Sequence, residues 1–182
     1  MMKILSENEA FTRTAPRPYV LITNIDINDR HNVMGATWVS RVSQKSFLLM
    51  VAIDYRRFSH EGIHANREFV VNYPAPGQER GAWFCGTKSG RGTDKIHASG
   101  LRFIPSEKVK SLTLDNAAAS FECRVIGEHV AGDHTIFVGE VLATRGETDQ
   151  KHHLFASSDS SLFALDSGMR SPEIRKEVVL PV

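Results

Sequence analysis

Cysteine is scarce: the 182 residues hold two, Cys85 and Cys123, at no spacing that metal or redox motifs use. That excludes a disulfide scaffold and suits buried thiols in a reducing cytoplasm. Long apolar runs are lacking too. The longest, Phe47 to Ile53, is far short of the about 20 residues a membrane helix needs. The stretch from Met1 to Arg17 has no signal-peptide core and carries Glu7 and Glu9. Nor does one sign of charge dominate. With 22 Lys and Arg against 21 Asp and Glu, the net charge is +1, which leaves no footprint for nucleic acid or an anionic membrane. The chain therefore reads as a soluble cytoplasmic protein with neither partner. Its length suits a single domain with a sizeable core.

Around one stretch the rest is organised: Asn32-Val-Met-Gly-Ala-Thr-Trp-Val-Ser-Arg-Val-Ser43. It is too β-branched for a comfortable helix, and it carries Gly35 and Ala36 where a strand wants packing side chains. Small residues there mark a bulge, close packing, or a flat bulky group against the backbone. On this stretch alone, a bulge or close packing has the edge over a bound group.

The flanking segments read as strands and short helices. Pro16-Arg-Pro18 forces extended backbone into a first strand, Tyr19-Val-Leu-Ile-Thr23. Phe47-Leu-Leu-Met-Val-Ala-Ile53 does not alternate and predicts a strand buried on both faces. Ser59 is placed to N-cap a short helix through Asn66. Glu68-Phe-Val-Val-Asn-Tyr73 returns to strand, a second helix fits residues 78–85, and a helical fragment fits 94–98. Two long strands follow, within 117–129 and 135–143, joined by a turn at Ala131-Gly-Asp-His134. The pattern is mainly β and antiparallel, a barrel or sandwich with two or three short helices. Residues 1–15 read as an arm, 16–149 as the domain and 150–182 as an extension packing on the barrel or on a dimer partner.

Two motifs invite chemistry. His60-Glu-Gly-Ile-His64 matches the zinc-protease pattern by letter. Gly62 sits where that motif needs a stable helix, so the match reads as a decoy. Gly86-Thr-Lys-Ser-Gly-Arg-Gly-Thr-Asp-Lys95 lacks the P-loop order. Its glycines still expose backbone N–H groups beside Lys88, Arg91 and Lys95, which suits a phosphomonoester. His134 lies in a turn beside Asp133, and His152-His153 reads as solvent-exposed. No Ser/His/Asp triad or Cys/His pair stands out.

Taken in order, Pro16 to Thr23, Asn32 to Ser40, Ser59-His-Glu, Glu68 to Asn72, Ser89-Gly-Arg-Gly-Thr-Asp-Lys95 and Gly132-Asp-His-Thr-Ile-Phe-Val-Gly-Glu-Val141 resemble the flavin reductase-like family of FMN-binding split barrels. The flavoredoxin branch is the most similar. The resemblance covers Pro16 to Ala143. It implies a Greek-key, antiparallel split β-barrel that forms a homodimer with FMN near the interface.

It also implies roles for individual residues. Asn32, Ala36, Thr37 and Trp38 lie along the flavin. Ser59, Ser89, Arg91 and Lys95 serve the phosphate end, and His134 faces the ring as the catalytic residue. The implied activity is an NAD(P)H-dependent FMN oxidoreductase, with hydride passing to flavin N5, or flavoredoxin-like electron transfer to an acceptor protein. The alternatives are a non-catalytic FMN electron carrier and a split barrel that holds haem or another ligand. Gly35 and Thr37 stand where the family more often has Thr and Ser. The tail departs from the family ending, which often sets an aromatic over the flavin, a role open to Phe155 or Phe163.

Overall fold

The computed structural model describes residues 2–149, 152–158 and 161–165. Seven antiparallel strands form the main sheet: β2 (Val20–Ile25), β3 (His31–Ala36), β4 (Val39–Ser43), β5 (Leu48–Asp54), β6 (Glu68–Tyr73), β9 (Ala119–Ala131) and β10 (His134–Arg145). Their order is β3-β2-β6-β9-β10-β5-β4. The strands at the two edges, β3 and β4, are thus consecutive in sequence and separated only by Thr37-Trp38. Consecutive Cα atoms lie about 3.8 Å apart, so this short link curls the sheet until the two edge strands meet end to end at the link, with no ladder between them among the described residues. The expected single strand over 32–43 is two strands for this reason.

Alternation along β2 assigns its side chains to two cores. Val20 and Ile22 point into the curl with Val51, Ile53, Phe69, Val71 and Phe137. Leu21 points outward and packs with Tyr19, Val33, Ala82, Cys85 and Leu154. Two helices cover this part of the sheet, α2 (Phe58–Asn66) and α3 (Glu79–Thr87). Neighbours on both faces therefore bury every residue of β2. β5 differs from its expectation. Leu49, Val51 and Ile53 are buried in the core, but Leu48, Met50 and Ala52 on the opposite face are only half-buried.

Two glycines mark close approaches. A Cβ on Gly62 would meet Asn24 and the Ile25 carbonyl, because α2 lies directly on β2. A Cβ on Gly35 would strike the Tyr19 hydroxyl and sit 2.9 Å from the Gly86 Cα of α3. Close packing therefore accounts for Gly35.

The smaller elements frame the rest. The residues read as an arm contain α1 (Glu7–Thr12), closed by a capping box in which Ser6 and Glu9 satisfy each other's backbone N–H. β1 (Arg17–Pro18) pairs with β11 (Leu154–Ala156), which pairs with β12 (Leu162–Ala164). Leu154 is fully buried, and its backbone bonds both Tyr19 and Pro74. Residues 166–182 of the expected extension lie outside the described residues. A short α4 (Lys95–Ala98) is N-capped by Asp94, and β7 (Phe103–Ile104) pairs with β8 (Thr113–Leu114). Among the described residues no helix is long and apolar enough to cross a membrane.

Candidate functional site

Where the β3–β4 link passes the start of α2 and the end of α3, the structure encloses a cavity of about 360 Å³. Gly35, Ala36, Thr37 and Trp38 form one wall, and His134 at the start of β10 joins them. Arg56, Arg57, Phe58 and Ser59 come from the β5–α2 turn, and residues 85–91 and Lys95 close the opposite end.

The turn into α2 is set by Asp54. Its carboxylate accepts from the Arg56 backbone N–H at 2.8 Å, and its carbonyl accepts from Arg57 N–H at 2.9 Å. The helix therefore starts two residues early, with Arg57 at the cap, and Ser59 falls inside the first turn instead of capping it. There Ser59 is buried, and its Oγ accepts a 2.7 Å bond from Asn32 Nδ2, which also donates to Asn24 Oδ1 at 3.0 Å. An accepting hydroxyl keeps its own proton to donate, and Ser59 lines the cavity. Asn32 does not line it. It stands behind Ser59 and holds it.

Charge collects at the end opposite Trp38. The Arg56 guanidinium grips Asp54 at 2.6–3.1 Å and holds that carboxyl far below the usual carboxylate range. Arg57, Lys88, Arg91 and Lys95 pair with no carboxylate among the described residues. Lys95 is buried, and its Nζ donates to the Cys85 and Lys88 carbonyls at 3.0 Å each. An ammonium carries three N–H groups, so one remains. Burial lowers its pKa to about 8; nearby Arg57 also lowers it, and the Cys85 thiol opposes both. Burial likewise pushes Cys85 up to about 11. Arg91 lies 5.3 Å over the Phe58 ring and bonds the Arg56 carbonyl.

At the other end, the Trp38 and His134 rings lie 4.5 Å apart, tilted by 31°. His134 Nδ1 is 2.6 Å from Asp133 Oδ1. An ionised carboxylate only accepts, so Nδ1 carries the proton, and this bond holds Asp133 below its ordinary range.

Eight of the nine residues singled out in the sequence thus converge on the cavity: Ala36, Thr37, Trp38, Ser59, Ser89, Arg91, Lys95 and His134. Lys88, singled out with the glycine-rich loop, lines the cavity as well, whereas Arg56 and Arg57 were missed as site residues. The Arg56-Arg57 pair directly before a helix was the available signal. Phe155 and Phe163 do not reach the cavity. They stack in the small sheet, Phe155 against His153, which packs on Tyr73. His153 is therefore half-buried in an aromatic cluster, not solvent-exposed. The letter-match to a zinc site resolves into separate pairs: His60 Nε2 with Thr135 Oγ1 and His64 Nδ1 with Glu128 Oε2, each at 2.8 Å.

A curled antiparallel sheet joined edge to edge by one short link, with a two-ended cavity at that link, defines the split-barrel class of ligand-binding protein. Residues 12–162 match the flavin reductase like domain, and the chain belongs to that family. It is 39% identical over 127 residues to an uncharacterized protein of Pyrococcus abyssi, covering 70% of this chain and 72% of that one. An NADH-dependent FAD reductase of Streptomyces globisporus is 26% identical over 135 residues, covering 74% and 73%. A flavoredoxin from Methanosarcina acetivorans superposes with a TM-score of 0.81 at 25% identity, covering 96% of this chain and 97% of that one.

Proposed function

We propose that the cavity binds FMN and that the protein is an NAD(P)H-dependent flavin reductase, or a flavoredoxin-like protein passing electrons to an acceptor. The observation that carries this reading is the two-ended cavity. A flat wall of Gly35 to Trp38 and His134 suits a planar ring, and four cations without carboxylate partners suit a phosphate. When bound, FMN supplies hydride and electron transfer, chemistry that side chains lack. The Streptomyces relative's dependence on NADH supports a nicotinamide donor. The reading includes a homodimer with the cavity near its interface, supported by the exposed Val42 on β4 just beyond the β3–β4 link. Two buried free thiols suit a cytoplasmic protein.

The chain's own residues bind and orient. Ser59 turns its free hydroxyl proton toward an anion at the start of α2, where helix N–H groups also point. Asp133 holds the His134 ring through Nδ1, and Trp38 fixes the ring plane. His134 thereby positions the reacting rings and need not give up a proton, since hydride transfer requires none.

FMN titration of the purified protein tests the site, and stopped-flow bleaching by NADH and NADPH separates a reductase from an electron carrier that does not use nicotinamide. Ser59→Ala is expected to weaken FMN about tenfold or more, the scale of one charge-assisted hydrogen bond, and to leave riboflavin binding unchanged. Equal losses for both ligands would remove Ser59 from the phosphate end. His134→Ala is expected to slow reduction about tenfold or more through lost alignment while FMN stays bound. A variant that loses FMN yet reduces at the normal rate once reconstituted would contradict the positioning role.

A further inference from the structure

The face of the cavity that Trp38 presents to solvent is partly covered by the N-terminal arm. Phe11, on α1, meets Trp38 edge to face, with ring centroids 5.9 Å apart and planes at 81°. Trp38 continues the stack onto His134, and both line the cavity. The Arg17 guanidinium lies 4.1 Å over the Phe11 ring and donates to the Phe11 carbonyl and the Thr14 hydroxyl.

Little else holds this helix. α1 has no buried residue, and its one ion pair, Lys3–Glu9, stays within the arm. Among the described residues, every hydrogen bond from residues 2–14 ends at or before Arg17. A six-residue helix is not stable on its own, even with a capping box. Its position therefore rests on the Phe11–Trp38 contact together with Arg17, and Trp38 lines the cavity mouth. Segments with few buried contacts open locally at low free energy, and lids are drawn from such segments.

We propose that α1 is a lid latched by Phe11 on Trp38, and that it governs access of planar aromatic reactants to the cavity. The inference rests on the flavin reading of the same cavity and adds regulation to it. Closed, the Phe11–Trp38 pair narrows the mouth. Open, it exposes Trp38 as a stacking surface for the second planar reactant, so the arm sets how fast reactants exchange.

The test uses the full-length protein carrying Trp83→Phe. The chain has two tryptophans, and Trp83 lies on α3 away from the cavity lining, so Trp38 becomes the only reporter. Phe11→Ala is expected to raise acrylamide quenching of Trp38. It is also expected to speed FMN association about threefold or more, as when a conformational gate before binding is removed. Phe11→Tyr keeps the ring and should restore both values. Unchanged quenching would overturn the latch, and faster quenching with unchanged FMN association would overturn the lid. Quenching needs no flavin. Failure of the wild type to bind FMN would therefore sink the flavin reading, while a rise in quenching would still support the latch.

Discussion

Lys95→Met should destabilise the protein by about 2 kcal/mol or more and weaken FMN binding at least tenfold. The Lys95 ammonium does two tasks at once. It satisfies the Cys85 and Lys88 carbonyls, which fixes the end of α3 and the following loop. Its remaining N–H and charge serve the cationic end of the cavity. A methionine of similar shape leaves both carbonyls without their donor, at about 1–3 kcal/mol each for a buried group. Relief of the buried charge offsets part of that. Urea denaturation reads the first effect. Comparing FMN with riboflavin reads the second, since loop distortion weakens both ligands and lost charge weakens FMN alone. A stable variant with intact FMN affinity would refute both tasks.

The same residue makes stability pH-dependent. Its folded pKa of about 8 lies below the unfolded lysine value. Below pH 8 both states are protonated, and the folded state carries the full penalty of a buried ammonium. As pH rises from about 8 to about 10.4, the unfolded chain binds more protons than the folded one, so stability from this group increases. Neutral Lys95 keeps two N–H groups, enough for its two carbonyls. The wild type should therefore gain on Lys95→Met in urea midpoint between pH 7.5 and 9.5. FMN affinity should fall over that window as the charge is lost. A gap that narrows with pH would reverse the assignment.

Gly35→Val should be the most damaging single change outside the cationic end, lowering stability by about 3 kcal/mol or more. The new side chain meets the Tyr19 hydroxyl on one side and the α3 backbone at Gly86 on the other. Tyr19 cannot yield freely, because its hydroxyl donates to the Ala82 carbonyl at 3.0 Å in a buried site. A loss of that size lowers the melting temperature by about 6–12 °C in a domain of this length. Gly92→Ala is the control. Nothing lies within 4 Å of a Cβ there, so its melting temperature should stay near that of the wild type.

The main strands of this protein are legible in its sequence because they are short apolar, β-branched runs that turn formers bound. Asp26 and Asn28 place the β2–β3 turn, and Gly132 at φ +61° places the β9–β10 hairpin. The cavity residues were legible through the order of motifs that resembles a family, not through any one motif. Asn32 was read as lying along the flavin, yet it stands behind Ser59. Which side of a buried hydroxyl an amide occupies depends on the crossing of β3 and α2. Ser59 was read as a cap, yet Asp54 starts the helix earlier through bonds to the Arg56 and Arg57 backbone. Lys88 was legible through its glycine-rich loop, while Arg57 had only its place before a helix to mark it, and the turn set by Asp54 is what brings it to the cavity.

By itself, the sequence determined where the main strands run, the turn between β9 and β10 and the pool of residues from which the site is drawn. These follow from neighbours a few positions apart, where alternation, glycine and turn chemistry act. Only the tertiary structure decided that β3 and β4 lie at opposite edges of one curled sheet, that Gly35 serves the packing of α3, and that Phe11 rests on Trp38. Those outcomes depend on contacts between residues far apart in the chain, whose distances are set by how the sheet closes and by what each helix covers.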